Sequence, residues 1–237
     1  YLGQDPSSTT STAEYNLSIG VTALDAITTG DANIAIGHDA LSANTTGSGN
    51  LAIGYGAYDN AYTEGNNMAI GRDALGGSIN GGETNIAIGN YSLDANTSGD
   101  LNIGLGYVSL TQNSTGSSNV GIGNSAMQLN QTGSSNTTLG NNSMKSSLSS
   151  SYNTAVGAEA LFDANRTADT DGYNTALGYN AGNTGTNDIT TGNKNTLLGA
   201  STAASAAAGT NQTVIGYGAS GIATVSYTHL TLPTRLM

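Results

Sequence analysis

The residue types that most often perform catalysis are scarce in this chain and form no recognisable constellation. The 237 residues include no Cys and two His. Nucleophilic and acid–base catalysis need two or more such groups held together. His38 follows Gly37 at a predicted turn, and the sequence offers no partner for it, so we expect a solvated side chain. The sequence therefore predicts no catalytic residue, no cofactor-binding residue and no metal ligand, and it indicates a protein that is not an enzyme.

Carboxylates are the one abundant class of reactive side chain, with sixteen Asp and Glu. Two of them could supply the acid and the base of a glycosidase, but the sequence favours no particular pair. The segment 169–172 resembles part of a calcium turn, yet Thr167 stands where the first acidic ligand belongs and no closing Glu follows. The acidic residues lie mostly at predicted turns, as do Asp25, Asp39, Asp59, Asp73 and Asp94.

The charge balance narrows the classes of partner. The formal net charge is −11, with only five Lys and Arg, which argues against nucleic acid or an anionic membrane surface as a ligand. No apolar run approaches the length of a membrane-spanning helix, so we expect no membrane insertion of this segment. The absence of Cys excludes a disulfide framework and thiolate metal sites.

One pattern repeats twelve times across residues 16–220. A glycine follows an aliphatic residue, an Asn (Gln in the last copy) stands four positions before that glycine, and a small residue stands three positions after it. We number each repeat from this glycine, so that the Asn occupies position −4 and the small residue position +3. Most copies are 17 residues apart. The twelve glycines are Gly20, Gly37, Gly54, Gly71, Gly89, Gly106, Gly123, Gly140, Gly157, Gly178, Gly199 and Gly216.

The repeat predicts an all-β parallel β-solenoid, or β-roll, of about twelve 17-residue coils. In the second copy, Ile34 and Ile36 alternate with Ala35, which is the period of a short strand. We expect the aliphatic residues at −3 and −1 to face inward, together with the pair Ala40 and Leu41 after the turn. A coil with so few large apolar residues cannot fold alone, so coils must stack with their strands in parallel, about 4.8 Å apart.

Three further columns carry predictions. The Asn column is expected to form a ladder of amides from coil to coil, an interpretation compatible with twelve separate Asn-led turns. The small column at −2 is expected to face outward and to permit close approach of other copies. The Asn-x-Ser/Thr triplets are interpreted as products of the composition; examples begin at Asn44, Asn96, Asn113 and Asn130.

The repeats change along the chain. Position −3 is aliphatic or Met up to Val120 and is Thr from Thr137 onward, while position +4 shrinks to Gly182, Ala203 and Ser220. Two four-residue insertions fall in the linkers 162–173 and 183–194. We therefore expect a leaner core and longer loops in the last coils.

The unit Asn-x-Ala-Ile-Gly-x-x-Ala-Leu, repeated in register over residues 16–220, resembles the head repeats of YadA-like trimeric autotransporter adhesins. Similar runs occur in fibre-like proteins of phages and bacteria. The resemblance implies left-handed winding, three chains packed side by side as a homotrimer, and an adhesive or receptor-binding role. It also implies an extracellular location, on a bacterial cell surface or a virion fibre, with a host surface glycan or matrix protein as ligand.

Exposed Tyr residues are candidate sugar-stacking groups, although half-buried turn residues are the more ordinary interpretation. The six at predicted loops or turns are Tyr55, Tyr62, Tyr91, Tyr107, Tyr179 and Tyr217.

Four functions remain open on the sequence, and a non-enzymatic surface adhesin or receptor-binding fibre head is favoured. The first alternative is a phage tail fibre or spike with glycan-cleaving activity. The second is an ice-binding solenoid, which needs a flat outward Thr array. The predicted inward direction of position −3 argues against such an array. The third is a functional amyloid of stacked coils.

The ends of the chain are set apart from the repeat domain. Residues 1–15 are interpreted as the N-terminal edge of a fragment. The run 225–234 resembles the translation of a transposon-based sequencing adapter. We therefore interpret residues 225–237 as a non-native tail and leave them out of the fold prediction.

Overall fold

The computed structural model describes residues 12–78, 80–164 and 172–222. This part of the chain is an all-β solenoid in which twelve three-residue strands form one parallel sheet in sequence order. The predicted fold class is confirmed. The tail at 225–237 lies outside the described residues. The strands are β1 Leu17–Ile19, β2 Ile34–Ile36, β3 Leu51–Ile53, β4 Met68–Ile70, β5 Ile86–Ile88, β6 Ile103–Leu105, β7 Val120–Ile122, β8 Thr137–Leu139, β9 Thr154–Val156, β10 Thr175–Leu177, β11 Thr196–Leu198 and β12 Thr213–Ile215.

Each turn of the chain places a residue beside its equivalent in the next coil. Ile34 of β2 is level with Leu51 of β3, and its backbone N–H donates to the carbonyl of Asn50 at 2.8 Å. The insertions do not disturb this register, because Thr154, Thr175 and Thr196 remain level with one another. The extra residues are therefore accommodated in the linkers, and the sheet runs uninterrupted from β1 to β12.

The strands present the opposite face to the interior from the one that we predicted. Ala35 is fully buried, whereas Ile34 is 38% exposed and Ile36 is half-buried. Every strand shares this pattern, with its middle residue buried and its outer residues at least partly exposed. The prediction that the aliphatic residues at −3 and −1 face inward, and that the small column at −2 faces other copies, is wrong.

The reason is the volume taken by position +4. Its large side chains, such as Leu93 and Leu110, are fully buried and occupy the interior behind the sheet. A Cβ built on Gly104 of β6 would lie 3.3 Å from Cγ of Leu93 and only 2.5 Å from Oγ of its neighbour Ser92. One on Gly121 of β7 would lie 3.1 Å from Cγ of Leu110 and 2.9 Å from Oγ of Ser109. Because close-packed interiors have no spare volume, only a small residue fits at the middle of these strands.

In the last coils the large side chains come from other positions, so the core is not simply leaner. Gly182 leaves space at +4, and its immediate neighbourhood contains Leu197, at the middle of β11, and Ile189, from the longer linker. Both side chains are buried. Val214, in the middle of β12, is buried in the same way. Large residues at −2 therefore accompany small residues at +4.

The Asn column forms the predicted ladder, and it uses mainly backbone groups. Oδ1 of Asn102 accepts the backbone N–H of Asn119 at 3.0 Å, and Nδ2 of Asn102 donates to the carbonyl of Gly116 at 2.8 Å. The same two bonds recur from coil to coil, since Asn85 holds the N–H of Asn102 in turn. Direct bonds between side-chain amides supplement them in the later coils, as from Asn136 to Asn119 at 3.1 Å.

A second, shorter Asn ladder runs through the linker turns. Asn113 donates from Nδ2 to Oδ1 of Asn96 at 3.0 Å, and Asn130 donates to Oδ1 of Asn113 at 2.7 Å. The ladder ends at Ser147, whose hydroxyl donates to the carbonyl of Ala164. Oδ1 of Asn130 is consequently a buried acceptor without a hydrogen-bond partner. The asparagines of the four example triplets, Asn44, Asn96, Asn113 and Asn130, are thus structural, and these four are fully buried.

The repeated glycine allows the backbones of neighbouring coils to approach closely. Gly71 has φ of +135°, and a Cβ there would lie 2.6 Å from the carbonyl carbon of Gly89 in the next coil. Gly216, in the last coil, has a similar φ of +125°, but the nearest atom to its Cβ would be 3.8 Å away. The column therefore meets two demands, a positive φ and close packing, and Gly216 meets only the first.

Candidate binding surfaces

The outer side of the sheet is one uncharged surface that spans all twelve coils. We call it the sheet face and define it by the first and third residues of the twelve strands. No charged residue occupies any of these positions. Parallel sheets are normally covered on both sides, and here only the inner side is covered by the chain itself. Its most exposed aliphatic residues are Leu17, Ile34, Leu105, Leu139, Leu177, Leu198 and Ile215.

The sheet face changes character between β7 and β8. From β1 to β7 both outer residues of each strand are aliphatic or Met, and we call this part the apolar half. From β8 to β12 the first residue is Thr and the third is Leu, Val or Ile, and we call this part the threonine half. The apolar half offers shape without hydrogen-bonding side chains. The threonine half adds one hydroxyl per coil.

A row of aromatic and cationic side chains follows the turn after the strands in coils two to six. His38 stacks on Tyr55 with ring centroids 5.3 Å apart. The guanidinium of Arg72 lies over the rings of Tyr55 and Tyr91, at 5.5 and 5.9 Å, and Tyr91 meets Tyr107 edge to face. Such contacts contribute about 0.5–1 kcal/mol each at exposed sites. The row therefore stabilises the side of the coils formed by the turns that follow the strands, which we call the turn edge.

His38 has partners that the sequence did not reveal. Its Nδ1 lies 2.7 Å from Oδ2 of Asp39, and its side chain is half exposed. Arg72 is paired in the same manner with Asp73, with Nε 3.2 Å from Oδ2. The expectation of an unpartnered, solvated histidine is therefore wrong in part, because one side of the ring is engaged and the other side is open to solvent.

The six candidate tyrosines lie at the surface, but their rings are not grouped into a single platform. Tyr55, Tyr107, Tyr179 and Tyr217 directly follow the repeat glycine, and all four are at least half exposed. Tyr62 is equally exposed on a linker, and Tyr91 is half-buried. Since Tyr55 and Tyr91 already pack against neighbouring side chains, their ring faces are partly occupied.

Carboxylates gather on the same side as the aromatic row. Burial, and then the neighbouring carboxylates of Asp73 and Asp39, raise the pKa of Asp59 from 3.8 to about 6. Burial, and then Asp73, also raise the pKa of Asp94. A carboxyl whose pKa is higher in the folded chain than in the unfolded chain keeps its proton to a higher pH in the folded chain. Its contribution to stability is therefore present at low pH and is lost as the pH rises from about 4 to about 6.

A buried polar cluster surrounds Tyr58, whose side chain lies in the core. Asn67 donates from Nδ2 to Oη of Tyr58 at 2.5 Å, and burial raises the pKa of Tyr58. Burial would also raise the pKa of Glu64, but backbone N–H groups of Thr63, Gly81 and Tyr62 bind its carboxylate and lower that pKa. Glu64 therefore stabilises a linker turn as a satisfied anion, and sequence reasoning did not identify it.

Neither a metal cluster nor a membrane-spanning element emerges from this geometry. Over residues 12–78, 80–164 and 172–222, no three His, Cys, Asp or Glu residues are placed so that they could hold a metal ion. In the same residues no helix has the length and apolarity needed to cross a membrane. The acidic residues of segment 169–172, with Thr167 before it, lie outside the described residues.

The fold and these surfaces define the chain as a repeat protein of the parallel β-solenoid class. Comparison of the chain with protein-family models, curated proteins and solved structures finds no match.

Proposed function

We propose that the chain is a non-enzymatic binding module of an extracellular fibre, such as the head of a surface adhesin or the receptor-binding part of a phage fibre. Three copies pack side by side through the apolar half of the sheet face. The ligand is a host surface glycan or matrix protein. The observation that carries this proposal is the long, uncharged aliphatic face of β1 to β7.

An exposed face of this kind favours association. Monomeric proteins rarely expose a large contiguous apolar patch, and this one recurs on seven successive strands. The columns are in register, so Ile36, Ile53 and Ile70 stand one above another. A second copy with the same regular columns presents a matching surface over the same length. Packing such faces together removes aliphatic area from water at about 25 cal/mol per Å².

The resemblance to YadA-like head repeats supplies the number of chains and the adhesive role, and the chemistry of the surface is consistent with it. A rigid solenoid holds its exposed turns at fixed positions, and recognition residues commonly sit on such turns. The turn edge carries aromatic rings beside carboxylates and Arg72, which are groups that hydrogen-bond to and pack against sugars.

The experiment is a binding screen of the whole chain against glycans and matrix proteins, with the variant Ile53→Glu beside it. Ile53 lies on the sheet face, so three carboxylates would meet in the trimer. The control is Val21→Glu, which alters an exposed apolar side chain away from the sheet face. We expect retention on at least one ligand for the chain and the control. We expect a loss of about 100-fold or more for Ile53→Glu, because avidity is lost.

Two results would contradict the proposal. The first is no retention on any glycan or matrix protein at micromolar chain concentration. The second is release of reducing ends from a glycan that the chain binds, which would show a glycan-cleaving enzyme.

A further inference from the structure

We propose that the threonine half of the sheet face is an ice-binding surface. Its elements are the Thr column at the first position of β8 to β12 and the aliphatic column at the third position. This inference does not depend on the adhesive role. The column consists of Thr137, Thr154, Thr175, Thr196 and Thr213.

The direction of the Thr side chains is the first step. The sequence predicts them to face inward, which is one argument against ice binding. In the structure four of the five are exposed and Thr154 is half-buried, and the residues between the two outer columns, such as Ala176, are buried. The five threonines therefore point to solvent from one side of one sheet.

The second step is that their hydroxyls are free to bind water. None of the five hydroxyl groups hydrogen-bonds to another protein group in the part of the chain that the structure describes. Threonines on the linkers behave differently, because the hydroxyls of Thr45 and Thr97 donate to carbonyl groups of the next coil at 2.8 Å. The hydroxyls of the sheet face are thus unused by the fold, although the same residue type is used elsewhere.

The third step is the regular spacing. Neighbouring parallel strands lie about 4.7–4.9 Å apart, close to a lattice repeat of ice. The register Thr137, Thr154, Thr175, Thr196 and Thr213 is unbroken, even where the linkers between coils are longer. A β-branched side chain in a strand has few rotamers, so the hydroxyl and methyl positions repeat with little disorder.

The fourth step is the chemistry of the neighbouring column. Leu139, Leu177, Leu198 and Ile215 are 48%, 46%, 41% and 64% exposed, and Val156 is half-buried. Water beside apolar groups has restricted orientations, and hydroxyls at fixed points can anchor such water by hydrogen bonds. Alternating methyl-rich and hydroxyl-bearing rows without charge fit an ordered water layer better than they fit an ion or a charged polymer.

The test uses slow growth of ice in a solution of the whole chain, with thermal hysteresis measured on the same samples. The variant Thr175→Tyr puts a large ring in the middle of the column. Its control is Thr132→Tyr, at an exposed linker Thr on another side of the coil. Circular dichroism and light scattering establish that both variants keep the fold and the mass of the parent.

We expect the chain and Thr132→Tyr to be incorporated into ice and to show hysteresis, and Thr175→Tyr to lose most of both signals. Exclusion of the parent chain from ice would overturn the inference, and so would equal incorporation of the two variants. A change of molecular mass in Thr175→Tyr alone would also overturn it, because it would show that other copies cover this part of the face. The adhesive role is tested separately by the binding screen.

Discussion

Replacement of Asn102 by Ala measures how much the buried Asn ladder contributes to stability. The substitution removes Oδ1, which accepts the N–H of Asn119, and Nδ2, which donates to the carbonyl of Gly116. The N–H of Asn119 then has no acceptor in a fully buried environment. The carbonyl of Gly116 keeps one donor, because Nδ2 of Asn113 also reaches it at 2.8 Å.

The magnitude follows from this inventory. One orphaned buried N–H costs about 1–3 kcal/mol, and the loss of one of two bonds to a carbonyl costs about 1 kcal/mol. We therefore expect Asn102→Ala to lower the free energy of unfolding by about 2–4 kcal/mol. The control is Asn141→Ala, at an exposed Asn whose side chain is outside the ladder, and we expect a change below about 0.5 kcal/mol.

The assay is urea unfolding followed by circular dichroism at a fixed chain concentration, since association would make stability depend on concentration. The midpoints can be compared only if the free energy of unfolding falls with urea concentration at the same slope in all variants. If Asn102→Ala were as stable as Asn141→Ala, the hydrogen bonds of the ladder would contribute no net stability, and the explanation for the Asn column would be refuted.

Three other substitutions, two of them compared with a second variant, test separate features of the fold. Ser147→Asn extends the second Asn ladder to the unpartnered Oδ1 of Asn130, so its free energy of unfolding in urea should exceed that of the parent by about 1 kcal/mol. A Ser147→Asn variant no more stable than Ser147→Ala would contradict this. Gly71→Ala combines a strained φ with a backbone clash and should lower the free energy of unfolding by about 2–6 kcal/mol. Gly216→Ala has only the strained φ and should lower it by about 1–3 kcal/mol. Equal losses in the two variants would show that close packing of the backbones is not a reason for the glycine column. Asp59→Asn removes the titrating carboxyl, so the fall in stability between pH 4 and pH 6 should be smaller than in the parent. At pH 7 the free energy of unfolding should be higher by about 1 kcal/mol after allowance for solvent screening. An unchanged dependence of the unfolding midpoint on pH would refute the raised pKa of Asp59.

The fold could be predicted from the sequence because its columns stay in register. The spacing of Asn and Gly gave the strands, their parallel pairing and their number, and the structure agrees with each of these. The inward face could not be predicted in the same way. Alternation of Ile34, Ala35 and Ile36 shows which residues share a side, but it does not show which side is the interior. The buried volume of Leu41 and its equivalents decides that question.

The contacts of Arg72 were harder to predict because they join positions that are not equivalent in sequence. Tyr55 and Arg72 directly follow the repeat glycine, whereas Asn90 takes that place in the next coil and Tyr91 stands one residue later. Arg72 nevertheless lies over both rings. Column-by-column comparison of the repeats therefore misses the contact between Arg72 and Tyr91, and only the positions of the side chains reveal it.

The central claim is that copies of the chain associate through the apolar half of the sheet face, and light scattering after size exclusion tests it directly. The account predicts a mass three times the chain mass of 23.6 kDa, and a single-chain mass for Ile53→Glu with the β-rich circular dichroism spectrum retained. A wild-type chain that elutes at the mass of one chain throughout the micromolar range would contradict it. An Ile53→Glu variant with the same trimeric mass as the parent would show that the association uses another surface.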